Sequence, residues 1–171
     1  MKEITLSHFE VVAAVLVGIK RRYESVKNGG KDRNGMEFKN DAEQWGANVS
    51  GALGEMVFAK FLGVHWNPTV NAPKWEPDIP PDWQVKCLSK HGYKLTVRPD
   101  AEDDHKYVLV TGVAPEYRVV GWIYGRDAKR EEWLEDKGNR GAPAYWVPQA
   151  NLHPIPPVKP PVLPRPVEPA T

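Results

Sequence analysis

Two incompatible periodicities in one chain limit its fold more than any other feature. Between residues 41 and 62, Trp45, Val49, Leu53, Met56, Val57 and Phe61 recur at helical spacing. The Asp41-Ala-Glu-Gln44 sequence offers a capping box at the start of this segment, and Gly63 closes it. Residues 83–88 switch to period two: Trp83, Val85 and Cys87 alternate with Gln84, Lys86 and Leu88, the pattern of a half-buried strand. Residues 92–98 alternate again, with Tyr93, Leu95 and Val97 against Lys94, Thr96 and Arg98. Tyr107–Val113 and Tyr117–Tyr124 read as two further strands, the first of them buried. A second capping box, Ser7-His-Phe-Glu10, opens a helix from about Ser7 to Val26 that stops at Gly29-Gly30. Asp127 caps a short helix to about Glu135 with Trp133 inward, and Ala144–Pro148 forms a last short strand before a turn through Leu152. This order predicts an α/β core with a central mixed β-sheet flanked by helices.

The remaining segments bound the organisation. The 171 residues fit one domain over residues 1–153. From Pro154 the chain becomes PIPPVKPPVLPRPVEPAT, where proline removes donors and fixes φ, so residues 154–171 read as a disordered or polyproline tail. Lys31–Asn40 reads as a polar loop, His65–Pro81 as short edge strands and turns, and Pro99–His105 as an acidic loop. The net charge of +1 gives no overall pull toward nucleic acid, so such binding must come from a local patch. Cys87 is the single cysteine, which excludes a disulfide within the chain and a thiolate zinc site, and fits a reducing cytoplasm. The apolar run Val11–Ile19 is too short for a membrane span.

Several residue types invite functional readings and most decline them. Gly30-Lys31 lacks the flanking residues of a P-loop. His8, His65, His91, His105 and His153 show no metal-ligand spacing, and His91 is the one near the strand of interest. Cys87 shares the apolar face of residues 83–88 and reads as a packing residue. The seven tryptophans read mostly as core, and Pro161–Pro164 as a solvated tail more than a docking motif. What remains is a group of three elements. Glu55 lies on a helix face with Asn48, Gly51, Ala52 and Ala59, small or polar residues that another element or a ligand can approach. Pro77-Asp78 precedes the strand in which Gln84 and Lys86 point to one face. Taken singly, Asp78 is a turn former, Lys86 an edge-strand guard and Glu55 a solvated helix residue.

Taken together, GALGEMVFAKFLG at residues 51–63, Pro77-Asp78 and Gln84-Val-Lys86 resemble the PD-(D/E)XK nuclease superfamily, particularly small phage or bacterial members. The resemblance covers about residues 41–125 and departs at Gln84, where the family usually has an acid. It implies a restriction-endonuclease-like fold and a Mg²⁺-dependent DNA nuclease, with Mn²⁺ as a substitute ion. Asp78 is then the central metal ligand, assisted by Gln84, the Val85 carbonyl and Glu55, while Lys86 orients or deprotonates the water. A neutral amide at position 84 contributes no charge, so metal binding leans on Asp78 and Glu55. Lys90, His91, Lys94 and Arg98 would hold the DNA backbone. The alternative is a nuclease-derived nucleic-acid-binding module without catalysis. No membrane partner is expected, the location implied is cytoplasmic, and the sequence leaves a homodimer open.

Overall fold

The structure, a computed structural model, describes residues 1–28, 41–70, 73, 75–137 and 142–155. The expectations for the Gly29-Gly30 stop, for residues 31–40 and for residues 156–171 lie outside the described residues.

Helix α1 (His8–Lys27) starts where the sequence places it. Ser7 Oγ accepts from the Glu10 backbone N–H, and Glu10 Oε2 accepts from the Ser7 backbone N–H at 2.6 Å. Helix α2 (Asp41–Leu62) has the expected extent, but not the expected box at its start. Asp41 Oδ1 and Gln44 Oε1 instead accept from the Arg22 guanidinium of α1. A partly buried guanidinium is the stronger donor, and it wins both oxygens.

Strand β1 (Lys2–Thr5) has no periodic signal, being four residues long. It is followed by β2 (Trp83–Leu88), β3 (Leu95–Val97), β4 (Lys106–Val113) and β5 (Glu116–Tyr124). The central sheet runs β1-β5-β4-β2, with β2 and β4 parallel and the other pairs antiparallel, so it is mixed as expected. Its register slips once, where Leu109 pairs with Gly121 and Val110 with Val119, leaving Val120 as the extra residue of a bulge. Helix α3 spans only Gly125–Ala128. The helix expected to reach Glu135 breaks into a 3-10 turn at Glu131–Trp133 and strand β6 (Leu134–Glu135), because β6 pairs with β7 (Ala144–Val147). Trp133 is buried, as its position suggested. A second sheet runs β3-β7-β6.

Alternation along β4 divides the molecule into layers. Val108 and Val110 join Ala14, Leu53, Val57 and Phe58 in the core under α1 and α2. Tyr107 and Leu109 join Leu95, Val97, Trp133 and Val147 in the core under the second sheet. The central sheet is thus covered on one face by α2, with α1 packed upon it, and on the other by the small sheet. The long helices expected to flank the sheet both lie on the same side of it. Strands β3 and β7 fall within the strands expected at residues 92–98 and 144–148, β6 is an unexpected two-residue strand, and the pairing of the three supplies that second layer.

Two close approaches set where α1 and α2 lie. A Cβ at Gly18 would stand 2.5 Å from Val49 Cα, so α1 rests directly on the α2 backbone there. A Cβ at Gly54 would stand 2.5 Å from Cys87 Cβ, so α2 presses onto β2 one residue before Glu55. At the far end, Trp122 and His153 exchange backbone hydrogen bonds of 3.0 and 2.7 Å. Trp122 Nε1 donates to the Pro154 carbonyl, and Ile155 packs against the helix-side core. Pro154 and Ile155, read from composition as tail, are therefore attached to the domain.

The crossing at Gly18 carries a prediction opposite in sign to helix propensity. Gly18→Ala should gain about 1 kcal/mol from propensity alone. Overpacking against the Val49 backbone should outweigh it and leave a net loss of about 1–2 kcal/mol in urea unfolding. A variant more stable than the wild type would show that the helices do not meet there.

Candidate active site

Strand β2 is one edge of the central sheet, and among the described strands it pairs with β4 alone. At its start, Ile79 and Trp83 exchange backbone hydrogen bonds of 3.0 and 3.1 Å, which folds the 77–82 turn back along that edge. The turn delivers Asp78 to the strand, where its Oδ2 accepts from the Val85 backbone N–H at 2.7 Å. Within a strand the N–H and C=O of one residue point to the same edge. The Val85 carbonyl therefore faces the side from which Asp78 approaches.

Glu55 reaches this region from α2. It is buried, 5% exposed, and fully engaged. Arg21 Nη1 donates to Oε1 at 2.5 Å and Nη2 to Oε2 at 2.9 Å, while Trp66 Nε1 donates to Oε2 at 3.2 Å. Arg21 Nε also donates to the Thr69 carbonyl at 2.8 Å, tying the chain after α2 to the same guanidinium. Arg21 lies three residues beyond Gly18 on the face of α1 that crosses α2. The small-residue face of α2 is thus the seat of α1, and Arg21 is what approaches Glu55 there. Partial burial disfavours the Arg21 charge, but the Glu55 carboxylate more than compensates and holds the guanidinium above its usual range.

The Asp78 carboxyl is pushed up to about 6. Desolvation is the main cause, and the negative charge of Glu55 adds to it. The Val85 N–H and the cations Lys86 and Arg21 pull the other way. Glu55, Lys86 and Arg21 therefore each lie within electrostatic reach of Asp78. Tyr107 belongs to the same neighbourhood, its phenol pushed up to about 12 by burial first, with Asp78 among the smaller contributions. Lys86 is half-buried and has no ion pair or hydrogen bond among the described residues.

Gln84 lies one residue from Asp78's anchor, but its amide is turned to other partners. Nε2 donates to the Glu76 carbonyl at 3.0 Å and stands 3.5 Å from His105 Nδ1. His105, not His91, is thus the histidine beside Gln84; His91 Nδ1 stands 3.0 Å from Thr111 Oγ1, beyond the end of β2. The four expected backbone contacts lie elsewhere, without a described contact to Asp78, Glu55 or Lys86. Lys90 sits over the Tyr93 ring, Lys94 is 3.7 Å from Glu135, and Arg98 pairs with Asp100 at 2.8 Å. A concavity of about 400 Å³ opens in the acidic 99–105 loop, yet its walls Asp103 and Lys129 pair with each other, and Asp78 does not line it.

The donor set suits a hard cation in kind. Asp78 Oδ1, the Val85 carbonyl and Gln84 Oε1 are oxygens on or beside one strand edge, while Glu55 is spoken for by Arg21. Among the described residues no three His, Cys, Asp or Glu side chains stand together as a metal site, so an amide and a backbone carbonyl would have to complete the shell. Sequence reasoning missed Arg21, Trp66, Tyr107 and His105. A partner for Glu55 was implied by its small-residue face, but nothing in the spacing named Arg21. Cys87 packs as expected, with burial pushing its thiol up to about 12. Comparison with protein-family models, with curated proteins and with solved structures finds no match to this chain.

The raised Asp78 pKa makes stability depend on pH in a definite direction. A carboxyl that binds its proton more tightly when folded stabilises the fold at low pH and loses that contribution as pH rises from about 4 through about 6. Asp78→Asn keeps an acceptor for Val85 and removes the charge. In EDTA at pH 8 it should be more stable than the wild type by on the order of 1–3 kcal/mol. At pH 4 the two should unfold at nearly the same urea concentration. A variant less stable at pH 8 would contradict this environment for Asp78.

Proposed function

We propose that the chain is a Mg²⁺-dependent deoxyribonuclease with a restriction-endonuclease-like core, hydrolysing phosphodiester bonds at the outer edge of β2. One observation carries the reading: Lys86, half-buried and without an ion pair among the described residues, lies within electrostatic reach of an Asp78 carboxyl pushed up to about 6. A carboxyl that is desolvated and repelled by Glu55 is costly for the fold alone. Such an arrangement is common where a charge is held ready for chemistry.

Asp78, the Val85 carbonyl and Gln84 are the residues that would hold the metal. When bound, Mg²⁺, with Mn²⁺ as substitute, supplies Lewis-acid stabilisation of charge on the phosphoryl group. Lys86 offsets negative charge developing on that group and hydrogen-bonds the attacking water, while the bulk of α2 shields this edge from solvent on one side. Arg21 holds Glu55, which keeps a second negative charge close to Asp78 without leaving it unpaired. Lys90, His91, Lys94 and Arg98 extend the reading to the DNA backbone, with Glu135 and Asp100 as the groups a phosphate would displace.

A second reading, a DNA-binding module without catalysis, draws on two contacts. Gln84 bonds the Glu76 carbonyl, and both Glu55 oxygens are taken by Arg21. The two readings separate in one experiment, with plasmid and linear DNA incubated with the protein across Mg²⁺, Mn²⁺ and EDTA. The nuclease reading expects metal-dependent cleavage that falls by on the order of 100-fold or more in Lys86→Ala. It expects loss in Asp78→Ala, and cleavage kept or reached at lower Mg²⁺ in Gln84→Glu. Wild type and Gln84→Glu both inert, with metal-independent DNA binding, would establish the binding module instead.

A further inference from the structure

Among the described residues, nothing covers the outer face of α1. Phe9, Val12, Leu16, Ile19, Tyr23 and Val26 are each between 42% and 84% exposed, while Ala14, Gly18 and Arg22 on the other side are buried. Their spacing alternates three and four over the whole length of α1, the seam that one helix presents to another. The described residues leave this seam exposed.

We propose that this face is the interface of a homodimer, in which α1 packs antiparallel against α1 of a second copy across a two-fold axis near Val17 and Gly18. The inference rests on the fold, independently of the nuclease reading. Self-complementarity argues for it. When the seam is paired with itself in reverse, Phe9 meets Val26, Val12 meets Tyr23 and Leu16 meets Ile19 of the second copy. Each larger side chain then faces a smaller or equal one, and all six positions are filled. A parallel pairing would set Phe9 on Phe9, Tyr23 on Tyr23 and Val12 on Val12, alternating crowding with gaps. In the antiparallel register Lys20 falls opposite Ala13, so its charge meets no like charge.

Area argues in the same direction. Six side chains exposed to this degree present on the order of 600 Å² of apolar surface, at the upper end for a patch on a monomer. Two copies would bury about 1,200 Å², the lower bound of specific stable interfaces, before the Lys20 and Lys27 stems at the rim are counted. Other occupants fit less well. The prolines of residues 156–171 forbid the helix that this spacing calls for. An interfacial membrane helix carries a broader apolar face opposite a basic one, whereas Glu10 and Glu24 lie beside this stripe.

The test is the mass of the full chain in solution, by sedimentation at protein concentrations from about 1 to about 100 μM, the range in which interfaces of this size associate. The wild type should be a dimer at the upper end. Leu16→Glu and Ile19→Lys, both on the exposed face, should keep the wild-type circular dichroism and thermal transition while weakening the dimer by on the order of 100-fold. Mixed in equal amounts, these two variants should recover the dimer. Only the antiparallel register brings the introduced carboxylate against the introduced ammonium while restoring one native Leu16–Ile19 layer. A wild type that stays monomeric throughout overturns the proposal. So does a wild-type dimer unaffected by either variant, a failure of the mixture to recover it, or a monomer that binds anionic vesicles through Leu16.

Discussion

The two hydrogen bonds from Arg21 to Glu55 hold together everything that surrounds the β2 edge. They join α1 to α2, and the same guanidinium fixes the chain after α2 through the Thr69 carbonyl. Trp66 closes the remaining side of the carboxylate. Breaking a buried, bidentate pair of this kind by removing one partner typically costs about 3–5 kcal/mol, because the other charge stays behind. The pair exists because Gly18 and Gly54 let three layers approach: α1 on α2, and α2 on β2. Remove either close contact and Glu55 no longer stands between Arg21 and the strand edge.

That arrangement creates the electrostatic condition at Asp78. Its carboxyl is desolvated by the same packing and repelled by Glu55, while Lys86, Arg21 and one backbone N–H draw it back toward ionisation. The balance sets it at about 6, near enough to neutrality that a bound cation or a phosphate would decide its state. Asp78 Oδ2 satisfies the Val85 N–H, while Lys86 has no hydrogen bond or ion pair among the described residues. Both stand at an edge strand with outward-facing backbone groups.

Much of the fold was legible because its signals are local. Ser7 and Glu10 announced α1, the period of Trp45 to Phe61 announced α2, and strict alternation announced β2. The failures come where tertiary pairing overrides local preference. Asp41 and Gln44 spell a capping box but are claimed by Arg22, and the segment after Asp127 gives up its helix to let Leu134 and Glu135 pair with β7. At the site, the spacing of Gln84 and Lys86 and the turn at Asp78 could be read directly. The Asp78–Val85 contact required knowing that residues 77–82 fold back along β2, and Arg21 required the helix crossing. His105 comes from the start of β4, 21 positions from Gln84, a distance that no local pattern spans.

The central claim is that the outer edge of β2 at Asp78 and Val85 is where this protein holds a hard cation beside Lys86. Paramagnetic broadening of backbone amide signals by sub-stoichiometric Mn²⁺ tests this most directly, because it locates the ion without requiring turnover. The account predicts that the amides of Asp78, Val85 and Lys86 broaden first, and that excess Mg²⁺ restores them. Broadening centred instead on the acidic loop at Asp100–Asp104, with the β2 amides unaffected, would contradict it.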